Sequence, residues 1–407
     1  MPFSIAEKLP QYVKSVMDAL SQKGFRGYLV GGSLRDLLRG ELPHDFDLTT
    51  DATPDEMREA LTAFRVIPTG LSHGTLTVLS EGEPIEVTTH RCDGAYLDAR
   101  HPESVSFTRR LAEDLSRRDF TINAMAWNGE VGLVDLFGGR EDLAAGVIRA
   151  VGDPATRFGE DALRILRAFR FSAQLDFEID AATLAAAREM RAGLARISAE
   201  RIFSELSRLL AFPAAARGLG ALLDADCAPF VFGDIAIDRA ALAMLPSLPP
   251  QAEVQLAALL CGEAPEKARA LCKKLRTSNA FCDTVVGILR AAATPLPTDL
   301  PAARRFTVTH WGVWENALAV LAARGADTAT AHTLCRTVSR DGTAIELRRL
   351  AVNGKELQDA VGVLPAKTAA LLSRLQELVW QDPLRNKKAT LLALAAEILE
   401  KERKNDE

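Results

Sequence analysis

GYLVGGSLRDLLRGELPHDFDLTT, residues 27–50, is the stretch from which the fold is read. Residues 28–30 form a short run of strand-forming apolar side chains. The run stops at Gly31-Gly32, where missing side chains let backbone N–H groups come close to a ligand. Residues 33–39 then read as one helix, with Leu34, Leu37 and Leu38 on its apolar side. A helix N-terminus directly after two glycines is a natural phosphate seat. Gly40 ends that helix, and residues 46–50 read as a second strand. Asp45 and Asp47 alternate along it, which puts both carboxylates on one face. Two carboxylates side by side repel each other unless a cation sits between them. Hard oxygen ligands of this kind suit Mg²⁺, which also takes substrate phosphate oxygens. A phosphate cradle followed at once by an Asp-x-Asp metal seat is what nucleotidyl transfer requires. Gly-Gly alone is commonly a turn and Asp-x-Asp alone a solvated loop, so the weight lies in their order on strand, helix and strand.

The whole chain sets the bounds. Its 407 residues allow two to four structural units, and 48% hydrophobic with 25% charged residues is an ordinary globular composition. Net charge is −5, so no global basic field marks a nucleic-acid partner, and any RNA surface must be a local patch. The six cysteines form no C-x-x-C pair, as expected of free thiols in a reducing cytoplasm. No signal pattern and no membrane-length apolar run is present, so a cytoplasmic protein without membrane association is expected.

VGGSLRDLLRG (30–40) followed by HDFDLTTDATP (44–54) resembles the head of the class II tRNA nucleotidyltransferases, which include CCA-adding enzymes and bacterial poly(A) polymerases. The resemblance recurs in RRDFTINAMAW (117–127), EDALRILRAFRF (160–171) and ISAERIFSEL (197–206), and more faintly in AVNGKEL (351–357). It implies a head with the DNA polymerase beta-type nucleotidyltransferase sheet, hence an α+β head followed by all-α neck, body and tail.

Around that frame the chain reads in order. Residues 4–23 form an amphipathic helix with Ile5, Leu9, Val13, Val16 and Leu20 near one stripe. Pro54 opens a helix through Phe64, and residues 75–79 and 84–90 make a hairpin. On its second strand Glu86 is a candidate third carboxylate beside Asp45 and Asp47, against an ordinary exposed strand glutamate. Residues 91–102, RCDGAYLDARHP, have no period and read as a loop, with Arg91, Asp93, Asp98 and Arg100 as charged levers. In the resembled family a flexible loop here helps switch the enzyme from C to A. Arg117 and Arg118 are cations at the edge of the head, and the family places a nucleotide contact on the second, Arg118.

Composition changes near residues 152–154, after which helical periods take over. Residues 159–173 read as one helix with Leu163, Ile165, Leu166 and Phe169 on one side and Glu160, Asp161, Arg164 and Arg167 on the other, Arg170 at the border. Ion-paired solvated faces look the same. A base amino group needs an acceptor, which a carboxylate provides, and an adjacent acceptor needs a donor, which a guanidinium provides. The resemblance implies that Asp161 and Arg164 act as a protein template selecting CTP and ATP, with Arg167 and Arg170 also at nucleotide-contacting positions. Ser198 caps a further helix, which the resemblance implies is an architectural brace for the helix carrying Arg164. Lys273-Lys274-Leu275-Arg276, and more weakly Arg304-Arg305, are basic clusters that are either solvated or in contact with an RNA backbone.

The expectation is therefore a catalytic nucleotidyltransferase head over 1–152, a base-recognising neck over 153–215, a helical body over 216–300 and a tRNA-binding tail over 301–407. The activity implied is template-independent CCA addition to the tRNA 3′ end from CTP and ATP, with release of pyrophosphate and two-metal chemistry at Asp45 and Asp47. The nucleotide-binding set is Gly31, Gly32, Arg35, Arg118, Asp161, Arg164, Arg167 and Arg170. Mg²⁺ is the expected cofactor and the tRNA 3′ end and acceptor arm the expected partner, with no obligatory protein partner. Competing readings are an enzyme adding only the terminal A or only CC, a poly(A) polymerase, and a non-catalytic RNA binder. The stretch 64–80 lacks the basic run associated with poly(A) polymerases, and the histidines lack the H…HD pattern of the phosphohydrolase domain fused to some relatives.

Overall fold

The computed structural model describes residues 5–93 and 105–405. The chain divides into two compact units, Met1–Leu242 and Ala243–Glu407.

The first unit opens with α1 (Ile5–Lys8) and α2 (Gln11–Gln22). The single helix expected over 4–23 is broken because Pro10, with no N–H to donate, takes an extended conformation and starts α2. Then follow β1 (Gly27–Val30), α3 (Gly31–Arg39), β2 (Asp47–Thr50), α4 (Pro54–Ala60), β3 (Arg65–Gly70), β4 (Thr75–Ser80) and β5 (Glu83–Thr89). Strands β6 (Arg91–Asp93) and β7 (Val105–Phe107) form a separate antiparallel ribbon. Helix α5 (Leu111–Ser116), β8 (Met125–Asn128), β9 (Gly132–Asp135), α6 (Gly139–Ala145) and the short strand β10 (Val147–Ile148) close the head. Beyond it come α7 (Pro154–Glu160), α8 (Leu163–Leu175), the short strand β11 (Glu178–Ile179), α9 (Ala181–Met190) and α10 (Ala199–Leu210).

The head sheet has seven strands in the order β3-β4-β5-β2-β1-β8-β9, all neighbours antiparallel except β2 and β5. Alternation decides its two faces. Leu29, Leu48, Leu76, Val78, Ile85 and Val87 pack into one core with Val13, Val16 and Leu20 of α2, Leu34 and Leu37 of α3, and Met57 of α4. Tyr28, Val30 and Ala126 point the other way, against Leu115 of α5. The hairpin turn is Glu81-Gly82, both at positive φ, the geometry that suits a two-residue connection. Helix α4 starts on a capping box between Thr53 and Glu56, with Pro54 in its first turn.

Two local expectations change. Residues 91–93, read as the start of a loop, are strand, because their partner at 105–107 lies beyond the segment where a period was sought. Asp98 and Arg100 lie outside the described residues. Residues 159–173 are not one helix: α7 ends at Glu160, Asp161 is extended, and α8 begins at Leu163.

The second unit is helical. Leu357, Leu371, Leu375, Val379, Leu391 and Ala395 are buried together in one core. Asn353 forms a capping box with Glu356 at the start of the helix Gly354–Val361. Arg304, grouped with Arg305 as a basic cluster, is buried and donates to the Trp380 carbonyl at 2.6 Å near the end of the helix Pro365–Gln381. It is thus a structural group and not an RNA contact. No helix among the described residues is long and apolar enough to cross a membrane.

Candidate active site

Because Leu48 enters the core, its neighbour Asp47 must emerge on the opposite sheet face, at the first residue of β2. Ser33 fixes this corner: its hydroxyl donates to the Val30 carbonyl at 2.8 Å and accepts from the Asp47 N–H at 3.4 Å. The end of β1, the first turn of α3 and the start of β2 are thereby tied at one point. Gly31 sits there at φ +67°, a conformation that side chains disfavour. A Cβ at Gly31 would stand 3.5 Å from the Arg118 guanidinium and 3.7 Å from the Asp47 carboxylate. The first turn of α3 carries no side-chain cap, and Gly31 and Gly32 line a cleft of about 580 Å³. A helix N-terminus of this kind suits an anion.

Asp45 lines the same cleft but lies in the bend before β2, exposed, and not on the strand itself. Glu86 is in register with Asp47 across the parallel β2–β5 pair, so both side chains leave the same sheet face, but Glu86 does not line the cleft. Burial, then the charges of Asp45 and Glu86, push the Asp47 carboxyl up to about 6, against the lowering effect of Arg118. Two or three anions crowded around a half-buried carboxylate are the electrostatic signature of a cation seat. Among the described residues no group of three or more His, Cys, Asp or Glu side chains is arranged to hold a metal alone. Asp45 and Asp47 are hard-oxygen donors that could hold a divalent ion, one that completes its shell with water and substrate phosphate.

Arginines line the rest of the cleft, and a carboxylate or amide holds nearly every one. Arg35 is buried, bonded to Asp36 at 2.9 Å and to Asn123 at 3.0 Å. Arg117 and Arg118 share the buried Asp114. Arg167 donates twice to Asp119 at 2.5 and 2.7 Å, and Arg170 pairs with buried Glu205 at 2.6 Å and with Gln174 at 2.7 Å. Burial pushes the Asp119 carboxyl up, but Arg167, Asn123 and Arg164 outweigh it and bring it down to about 2. The guanidiniums of Arg35, Arg167 and Arg170 all lie over the Phe171 ring, at 5.5, 5.3 and 3.9 Å from its centre.

The break between α7 and α8 places Asp161 itself. Its Oδ1 accepts from the Leu163 N–H at 3.0 Å, capping α8, and its Oδ2 accepts from Arg201 of α10 at 2.7 Å. Arg164, in the first turn of α8, donates to Glu160 at 2.5 Å and to the Arg157 and Arg117 carbonyls. Asp161 and Arg164 still line one cleft, although they do not share a helix face.

The cleft thus brings together Gly31, Gly32, Arg35, Asp45, Asp47, Arg118, Asp161, Arg164, Arg167 and Arg170 of the expected set. Arg91 is on β6 and does not line it. Asp119, Asn123, Gln174, Arg201 and Arg208 line it too, though the sequence reading assigned them no role. Arg201, Glu205 and Arg208 recur at helical spacing on α10, read as architectural, and that charged stripe was the signal available.

Residues 27–149 match the family described as the poly A polymerase head domain, and residues 176–237 that described as the probable RNA and SrmB-binding site of polymerase A. The CCA-adding enzyme of Lactococcus lactis subsp. cremoris (strain MG1363) is 34% identical over 98% of this chain and 99% of its own length. The chain belongs to the class II tRNA nucleotidyltransferases. The CCA-adding enzyme of Streptococcus sanguinis (strain SK36) is 39% identical over 74% of each chain. The crystal structure of the Bacillus stearothermophilus CCA-adding enzyme in complex with CTP superposes with a TM-score of 0.83 at 30% identity, covering 97% of this chain and 98% of that one. As a member of this family the chain is a nucleotidyltransferase, with the DNA polymerase beta-type head that its sheet displays.

Proposed function

We propose that this protein adds C, C and A to the 3′ end of tRNA from CTP and ATP, in the cytoplasm, releasing pyrophosphate at each step. The observation that carries this reading is one cleft in which a carboxylate pair, a glycine-opened helix N-terminus and the Asp161–Arg164 pair meet.

Asp45 and Asp47 are the residues that would hold a divalent ion, Mg²⁺ by ligand chemistry, and such an ion supplies Lewis acidity to the attacking hydroxyl and the leaving phosphates. The chain's own groups do the positioning. Backbone N–H groups at the start of α3 and the guanidinium of Arg118 take the triphosphate, with Arg35 beside them. That cradle places the α-phosphorus near the carboxylate pair, where the tRNA 3′ oxygen attacks it and pyrophosphate departs. Asp161 presents an acceptor and Arg164 donors to the base edge. Cytosine and adenine each carry an amino group beside a ring nitrogen acceptor, whereas uracil and guanine reverse that pattern. Arg167 and Arg170, held over Phe171, line the cleft beside that pair and add cationic surface for nucleotide.

The test offers tRNA lacking CCA each of the four nucleoside triphosphates alone, then CTP with ATP. CTP alone should extend it by C, UTP and GTP should fail, and CTP with ATP should stop at CCA. A long run of A from ATP alone would favour the poly(A) polymerase reading instead.

A further inference from the structure

Asp114 is on α5, its side chain wholly buried, and it does not line the cleft. Its two oxygens are nonetheless shared between Arg117 and Arg118, which do. Oδ1 accepts from Arg117 Nε at 3.1 Å and Nη2 at 2.7 Å, and Oδ2 accepts from Arg118 Nη2 at 3.1 Å. The Arg91 N–H lies 3.4 Å from Oδ1, and the Thr49 hydroxyl, which also faces the Thr88 carbonyl at 3.1 Å, lies 3.5 Å from Oδ2. Thr49 in turn stands 2.8 Å from Nδ1 of buried His90. Oδ1 is thus taken by Arg117 and the Arg91 N–H and Oδ2 is held by Arg118, and the wholly buried carboxylate has no access to substrate.

We propose that Asp114 is a positioning residue for the triphosphate, holding Arg117 and Arg118 in the attitudes in which they line the cleft. The two guanidiniums and the carboxylate together carry one net positive charge, presented beside Gly31 and Asp47. Without Asp114 the hydrogen bond left to the Arg118 side chain among the described residues is one of 3.4 Å to the Asn123 carbonyl, beside the attraction of Asp47, so its order falls largely to the ligand. A long side chain ordered beforehand binds more tightly, because its rotamer entropy is already lost. Burial raises the Asp114 carboxyl, but Arg118 and Arg117 outweigh it and bring it down to about 2, so the charge persists at every working pH. The proposal rests on reading Arg118 as a triphosphate contact.

The experiment measures binding of CTP and of cytidine monophosphate to the full chain by calorimetry, with Mg²⁺ present. Asp114→Asn should weaken CTP by about tenfold, the size of one lost charge-assisted contact, and leave the monophosphate within about twofold. Preference for CTP over UTP should not change, since the base-reading pair is untouched. Equal loss of both ligands, or unchanged CTP binding, would overturn the proposal. If the asparagine variant does not fold, Asp114→Glu keeps the buried charge and shifts it by one methylene, with the same CTP-specific loss expected. Arg118→Ala separates the two levels. If it weakens CTP while the Asp114 variants do not, only the positioning role fails. If Arg118→Ala itself binds CTP like the parent, the triphosphate reading fails with it.

Discussion

Asp47 shows at the scale of one side chain how this site opposes its own stability. Its carboxyl titrates near 6 in the folded chain, above the ordinary aspartate value of about 3.9. The folded state therefore holds that proton more tightly than the unfolded state does. The stability this contributes is complete below about pH 4 and is lost as pH rises through about 6. In metal-free buffer Asp47→Asn should match the parent near pH 4 and melt a few degrees higher at pH 7.5; a parent that melts higher at pH 7.5 contradicts the electrostatic account. Divalent ion should raise the melting temperature of the parent more than that of the variant. The same substitution, or Asp45→Asn, should cost about a thousandfold in C and A addition while tRNA binding holds. The proposed base readers are single residues too. Asp161→Ala or Arg164→Ala should admit UTP or GTP, since a bidentate base contact is worth about 1–3 kcal/mol of discrimination. An even loss of rate with selectivity intact would reduce the pair to a phosphate clamp.

At the scale of elements, the strand–helix–strand corner from β1 to β2 was the most legible part of the chain. Its glycines, its leucine stripe and its terminating Gly40 are local signals that agree with one another. Gly31 is required there by its positive φ, so Gly31→Ala should cost about 1–2 kcal/mol in stability, read as a lowered melting temperature, and raise KM for both nucleotides. An alanine variant with parental stability and KM would show that the corner tolerates a side chain. Elements whose form depends on distant partners were less legible. The break at Asp161 follows from its side chain capping α8 and meeting Arg201, forty residues on. The strand at Arg91–Asp93 exists because 105–107 pairs with it. Arg304 looked like a surface cation because sequence shows its charge and not its burial. The cleft's supporting carboxylates, Asp114, Asp119 and Glu205, were missed for the same reason: an acidic residue inside an arginine-rich motif reads as a surface pair until the fold buries it.

At the scale of the whole molecule, every residue assigned to nucleotide binding or catalysis lies in the unit Met1–Leu242. A fragment ending at Leu242 should bind CTP with nearly parental affinity and bind tRNA more weakly than the full chain. Loss of CTP binding in a fragment that folds would mean that the second unit completes the nucleotide site. A net charge of −5 makes the arginine-lined cleft a local exception on an acidic protein. RNA affinity should accordingly fall as salt rises, with a slope set by a few phosphate contacts. The central claim is that one cleft serves C twice and A once on the same RNA end. Its most direct test takes tRNAs ending before CCA, after the first C and after the second C, each incubated with CTP, ATP or both, and reads the products at single-nucleotide resolution. The full chain should bring all three to CCA with both nucleotides, and ATP alone should extend only the tRNA ending in CC. Extension confined to that last tRNA under every condition, or a halt at CC with ATP present, would contradict it.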